Sequence, residues 1–181
     1  MLEGKKVGLV LCGWGGKGAY QIGVWKALKE AGIKPAAISG TSVGALNGAM
    51  MILDDYAAAE HIWQNIKTDD VLSLNSPALV SRLARLHIDV ARLPLFLRTK
   101  GFFNQKGLIA MMDRALPAGF AETPIPFYAA LHDKEANEVE YKRVNDYDDE
   151  TARNIILASA ALPGIFDDIE IDEKIYTDGG W

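Results

Sequence analysis

The sequence predicts an α/β fold with a mainly parallel central sheet, and three observations predict it. Val7 to Cys12 is a short, almost wholly apolar run that breaks into glycines, Gly13-Trp14-Gly15-Gly16-Lys17-Gly18, and then reads helical. A second short run, Lys34 to Ser39 around Ala36-Ala37-Ile38, breaks into Gly40-Thr41-Ser42-Val43-Gly44 and again reads helical. Both runs suit strands of a parallel sheet, which are buried on both faces and separated by crossover helices. Repetition of strand, glycine-containing turn and helix is the pattern of an α/β domain.

Composition bounds the rest. A chain of 181 residues with 49% hydrophobic and 24% charged residues fits one domain with a substantial core. A formal charge of −5 argues against nucleic acid as the main partner, which would favour a basic face. The lone Cys12 excludes an internal disulfide, lies in an apolar run and is expected to be a buried, inert thiol. The amino terminus shows no signal-peptide pattern, so a reducing, cytoplasmic setting is expected. No apolar stretch approaches the ~20 residues that span a bilayer, which leaves only peripheral membrane contact. Nothing in the chain specifies an oligomeric state.

In order, β-type Val7–Cys12 is followed by a helix over Ala19–Ala31, in which Tyr20, Val24, Ala27, Leu28 and Ala31 recur at helical spacing until Gly32. The second strand ends at Ser39 and a helix opens near Val43. Asp54-Asp55 can cap a third helix running to Ile66. Beyond the Ser73–Pro77 break, 78–93 is a basic amphipathic pattern stopped by Pro94. Over 78–103, Arg82, Arg85, Arg92, Arg98 and Lys100 face a single acid, Asp89. Such a helix, with Leu95-Phe96-Leu97 and Phe102-Phe103 after it, suits an anionic lipid surface; its alternative is a helix packed on the core with solvated arginines. Gln105–Leu116 reads as a further helix. Phe127–Leu131 and Glu138–Val144 read as strands of a hairpin, Thr151–Ala161 as a helix, and Ile169–Tyr176 as two short strands leading into Thr177-Asp178-Gly179-Gly180.

Gly40-Thr41-Ser42-Val43-Gly44 has the form of a nucleophile elbow, a tight strand-to-helix turn that presents a serine hydroxyl. Ser42 is the candidate nucleophile, and Gly40 and Gly44 supply the room the turn needs. Successive N–H groups of Trp14, Gly15 and Gly16 can converge on a developing oxyanion. The base is harder to find. His61, His87 and His132 lack a catalytic setting, whereas Asp178 in Asp-Gly-Gly can approach another loop closely, provided its surroundings raise its proton affinity.

Gly13-Trp14-Gly15-Gly16-Lys17-Gly18-Ala19-Tyr20, Gly40-Thr41-Ser42-Val43-Gly44, Ala158-Ser159-Ala160-Ala161-Leu162-Pro163 with Phe166, and Asp178-Gly179-Gly180 resemble the patatin-like phospholipase family in content and order. The resemblance implies a three-layer α/β sandwich and a Ser42–Asp178 dyad. It also implies an oxyanion loop at Gly13 to Gly16, with Lys17 as its basic residue, and hydrolysis of lipid acyl esters through an acyl-enzyme, without metal or cofactor. Two departures accompany it. Trp14 replaces the middle of three consecutive glycines, where its indole would crowd the acyl chain, line the pocket or reshape the loop. Family domains also continue well past Asp-Gly-Gly, so residues 1–181 are expected to be a single catalytic domain cut short there, with Asp178 prone to fraying. Two rival readings remain: Gly13-x-Gly15-x-x-Gly18 matches a dinucleotide-binding fingerprint but lacks the acid expected after the second strand, and the same fold could serve as a weakly active or inactive module that binds lipid, a nucleotide signal or a protein.

Overall fold

A computed structural model describes residues 6–71, 73–74 and 103–180. The two amino-terminal apolar runs form β1 (Val7–Leu11) and β2 (Pro35–Thr41), parallel and in register at Leu9–Ile38 and Leu11–Gly40. Between them α1 (Ala19–Glu30) ends at Gly32, whose φ of 68° suits a residue without a Cβ. α2 (Val43–Ile52) leaves β2 with no intervening loop and is buried along its whole length. α3 (Tyr56–Asn65) starts at Asp55, whose carboxylate accepts the Ala58 N–H at 3.0 Å and satisfies a donor that the helix end leaves unpaired.

A short helix, α4 (Thr68–Val71), precedes a two-stranded antiparallel pair, β3 (Ser73–Leu74) with β4 (Phe103–Asn104). The basic stretch expected over 78–103 lies outside the described residues except for the backbone of Phe103. α5 (Lys106–Ala115) follows as expected. Among the described residues, no helix is long and apolar enough to cross a membrane.

The second half supplies β5 (Phe127–Asp133) and β6 (Glu138–Arg143), joined as the expected hairpin, then α6 (Asp149–Ser159), β7 (Ile169–Ile171) and β8 (Lys174–Asp178). Asn145 fixes the start of β5: its Oδ1 accepts the Phe127 N–H at 2.7 Å, and its amide donates to the Ala121, Thr123 and Ile125 carbonyls at 3.1–3.2 Å. Asp148 caps α6, accepting the Glu150 and Thr151 N–H groups at 3.0 Å.

Strand order is β1-β2-β5-β8-β7, with β6 also on β5. One edge of β5 is taken by β6 along Tyr128–Asp133. The opposite edge is shared. Parallel β2 occupies it up to Thr41 opposite Ala130, and antiparallel β8 occupies the remainder, with Asp178 opposite Leu131. The carboxyl ends of β2 and β8 therefore meet head to head across two adjacent β5 residues. This seam locates the site.

The core lies where α2 and α6 cover the sheet face bearing Ile38, Phe127, Ala129 and Leu131. Contact is close: a Cβ on Gly48 of α2 would lie 2.6 Å from the Phe127 ring, so glycine is needed there. α1 packs behind through Ile22 and Trp25, the latter edge-on to Tyr56 with centroids 5.4 Å apart. Each such large side chain, fully buried, contributes about 1.5–3 kcal/mol. The α/β class and the parallel pairing of β1 with β2 are as the sequence predicts. One expectation changes, because β1 is not buried on both faces: Leu11 is buried but Val10 is 76% exposed. Val139, Tyr141 and Ile175 are likewise exposed on that second face, and the helical layer that a three-layer sandwich places there is not among the described residues.

Candidate active site

At the end of β2 the chain turns through Ser42 at φ 57° and ψ −127°, a conformation a non-glycine residue holds only when its surroundings over-determine it. The surroundings do so. A Cβ on Gly40 would overlap the Gly44 carbonyl, and one on Gly44 would overlap the Leu11 carbonyl of β1. The Ser42 carbonyl opens α2 by accepting the Ala45 N–H at 2.8 Å. The Ser42 N–H, turned out of strand and helix alike, donates to Ser159 Oγ at 3.0 Å, and that hydroxyl donates onward to the Ala130 carbonyl at 2.7 Å. Ser42 is left 8% exposed.

The glycine loop begins against this turn: a Cβ on Gly13 would lie 3.0 Å from Ser42 Cβ and 3.7 Å from its Oγ. Trp14 takes φ 157° and Gly15 φ 53°, after which Gly15–Gly18 forms a single 3-10 turn leading into α1, with the Lys17 N–H donating to the Trp14 carbonyl at 3.2 Å. Fully buried Asn47 of α2 anchors the far end of the loop. Its amide donates to the Gly18 carbonyl at 3.0 Å and to Gln21 Oε1 at 2.7 Å, while its oxygen accepts Trp63 Nε1–H at 2.8 Å. Gln21 in turn donates to the Cys12 carbonyl at 2.8 Å.

Trp14 lies on the outer side of the loop, at the rim of a hollow. The indole is 74% exposed, Lys17 Nζ sits 4.2 Å from its ring centroid as a cation–π partner, and with Gly13 and Tyr20 they edge an open hollow. Ser42 and Asp178 are not among the residues lining that hollow. Cys12 corrects another expectation: it lies just past the end of β1, where the strand has left the core, and is exposed.

Asp178 ends β8, paired opposite Leu131, and is 1% exposed. Its N–H donates to the Ala161 carbonyl at 3.0 Å, a bond reinforced by the Thr177 hydroxyl on the same oxygen. Oδ1 accepts the Gly180 N–H at 2.8 Å, and Oδ2 is buried without a hydrogen-bond partner. Burial pushes the carboxyl above the usual aspartate range, and the neighbouring Ser42 hydroxyl and the Gly180 N–H draw it partly back. The ends of β2 and β8 thus set Ser42 and Asp178 near one another, with no hydrogen bond formed at Oδ2. Gly179 packs on the Ala130 carbonyl, where a Cβ would overlap, and a Cβ on Gly180 would come within 3.4 Å of Thr41 Cγ2.

Ser42, Gly13 and Asp178 therefore come from three elements whose ends meet at the seam. No described histidine joins them. His132 lies opposite Thr177, one residue out of phase with Leu131 and Asp178, so strand alternation puts it on the other sheet face. His61 is exposed on α3, and His87 is outside the described residues. Of the glycines of the dinucleotide-type fingerprint, Gly13 and Gly18 border the serine turn, where a Cβ on Gly18 would lie 2.5 Å from Val43 Cγ2, and Gly15 faces open space. Among the described residues, no cluster of three His, Cys, Asp or Glu side chains could hold a metal. Sequence reasoning missed Asn47 and the part played by Ser159. A polar residue inside the otherwise apolar Val43–Leu53 helix was the available signal for the first, whereas nothing local marked the second.

The sequence profile of the family described as Patatin-like phospholipase matches residues 9–181. Over 53 residues, 29% of this chain and 4% of the relative, the sequence is 57% identical to lysophospholipase nte1 of Aspergillus terreus. It is 29% identical over 178 residues, 97% of this chain and 42% of the relative, to an uncharacterized NTE family protein of Mycobacterium bovis. VipD from Legionella pneumophila superimposes with a TM-score of 0.57 at 16% identity, covering 97% of this chain and 46% of that one, which is a likeness of fold. The chain spans less than half the length of these curated relatives.

Proposed function

The chain belongs to the patatin-like phospholipase family, and we propose that it is a lipid acyl hydrolase working through Ser42 and Asp178. Ser42 Oγ attacks the ester carbonyl as its proton passes to the Asp178 carboxylate. The tetrahedral oxyanion is held by N–H donors of the Gly13–Gly16 loop, with Lys17 adding positive potential nearby. Collapse breaks the bond to the leaving alcohol, which takes the proton from Asp178. Water, deprotonated by Asp178, then releases the fatty acid from the acyl-enzyme and restores Ser42. The observation that supports this reading is the head-to-head meeting of β2 and β8 on one edge of β5, where one strand ends in a strained serine turn and the other in a buried carboxyl.

Family membership and the names of the relatives support fatty-acyl esters of phospholipids and lysophospholipids as substrates. The test is a panel of lysophospholipids, phospholipids, triglycerides and short-chain esters, run beside a fluorophosphonate probe. Labelling and turnover that both vanish in Ser42→Ala are expected. Absence of labelling in well-folded protein overturns the hydrolase and leaves a lipid-binding module. Repeating the panel with anionic vesicles, before and after neutralising Arg82, Arg85 and Arg92, tests whether 78–103 contacts the membrane surface.

A further inference from the structure

Ser159 is the last residue of α6, has no solvent exposure, and has no part in the reaction as written above. We propose that it is a positioning residue for both halves of the site, an inference that rests on the hydrolase reading. At φ 57° the Ser42 peptide N–H can join neither the β2 ladder nor the first turn of α2, and buried there it needs an acceptor. Ser159 Oγ is that acceptor, at 3.0 Å. Because a hydroxyl accepts and donates at once, its proton goes to the Ala130 carbonyl at 2.7 Å.

Ala130 stands at the seam. It is opposite Thr41, its neighbour Leu131 is opposite Asp178, and its carbonyl is the atom on which Gly179 packs. One hydroxyl therefore links the serine turn to the β5 position against which the Asp178 turn is seated. Rotation of the Ser42 peptide plane sets the direction of its Cα–Cβ bond, so holding the N–H fixes the line of attack. The same bond commits the Ser42 N–H, which leaves oxyanion donation to other groups, the glycine loop foremost. This is a structural arrangement with a kinetic consequence, since a displacement of about 1 Å in a reacting group costs on the order of 100-fold in rate.

The test compares wild type with Ser159→Ala, which deletes the hydroxyl, and Ser159→Cys, which nearly keeps the volume but bonds weakly. Second-order rates of fluorophosphonate labelling at Ser42, and kcat and KM on a soluble short-chain ester, are measured well below the melting temperature of each. Labelling rate and kcat are expected to fall about 10–100-fold in both variants while KM stays within about twofold. Folded variants labelled at the wild-type rate overturn the inference and leave the hydrolase reading intact. So does a rate loss matched by a parallel rise in KM, or failure of both variants to fold, either of which makes the hydroxyl structural. Wild-type protein that is not labelled at Ser42 sinks the hydrolase reading itself, and the inference with it.

Discussion

The serine turn and the glycine loop lie side by side, yet their glycines do different work. Gly40 and Gly44 are enclosed, and a Cβ on either would overlap backbone carbonyl oxygen of another segment. Gly15 and Gly16 have no atom within 4 Å of where a Cβ would stand. Tight packing holds Ser42 in an unfavourable conformation, whereas the loop tip is open and carries an exposed indole with a lysine stacked on it. The serine turn is confined because Gly40 and Gly44 leave no room for a side chain beside it. In the loop, glycine serves backbone conformation and access to N–H groups rather than space.

Substitutions separate these two kinds of glycine. Gly44→Ala is expected to have the largest effect, a loss of about 4 kcal/mol or more, or failure to fold, because β1 and α2 would have to part; denaturant unfolding reads it. Asn47→Ala, which cuts the anchor between α2 and the loop and strands buried partners, is expected to lose about 2–3 kcal/mol by the same measurement. Gly15→Ala meets open space but a φ of 53°, so only about 1–2 kcal/mol is at stake. Gly16→Ala should lie within about 0.5 kcal/mol of wild type. A large loss in Gly16→Ala, or a small one in Gly44→Ala, would erase the distinction.

Asp178 extends the comparison to pH. In the proposed mechanism Asp178 is the base and must be unprotonated, so its raised proton affinity is expected to put the acid limb of the kcat/KM profile above the ordinary aspartate range of about 3.5–4. Asp178→Asn is expected to lower kcat about 100- to 10,000-fold. Its effect on stability has the opposite sign. A carboxyl whose folded pKa exceeds its unfolded value contributes most below the unfolded pKa and loses that contribution as pH rises through the folded one. Asp178→Asn should therefore raise Tm near neutral pH, and the gain should vanish below about pH 4. A Tm lowered equally at both pH values would show that the buried charge is not strained.

Local chemistry made much of this legible. Apolar runs ending in glycine, Asp55 before α3, and Pro163-Gly164 beyond α6 each act over a few residues, so elements and their ends follow from the sequence. The candidates Ser42, Gly13 and Asp178 were legible too, since their residue types and order suffice. Ser159, Asn47 and Asn145 escaped because their partners lie 117, 29 and up to 24 residues away, and a hydroxyl or amide carries no mark of the distant group it will satisfy. The exposure of Val10 and Cys12 escaped for a related reason: an apolar run states what it can bury, not what comes to cover it.

By itself, then, the sequence determined the strand–turn–helix units and the tight serine turn, and singled out Asp178 as the candidate acid, because these depend on short-range sterics and residue chemistry. Only the tertiary structure decided that β2 and β8 share an edge of β5 and stop at adjacent residues, that burial raises the proton affinity of Asp178, and that one hydroxyl on α6 secures the seam. Those features depend on long-range pairing and desolvation, which exist only once the sheet has assembled.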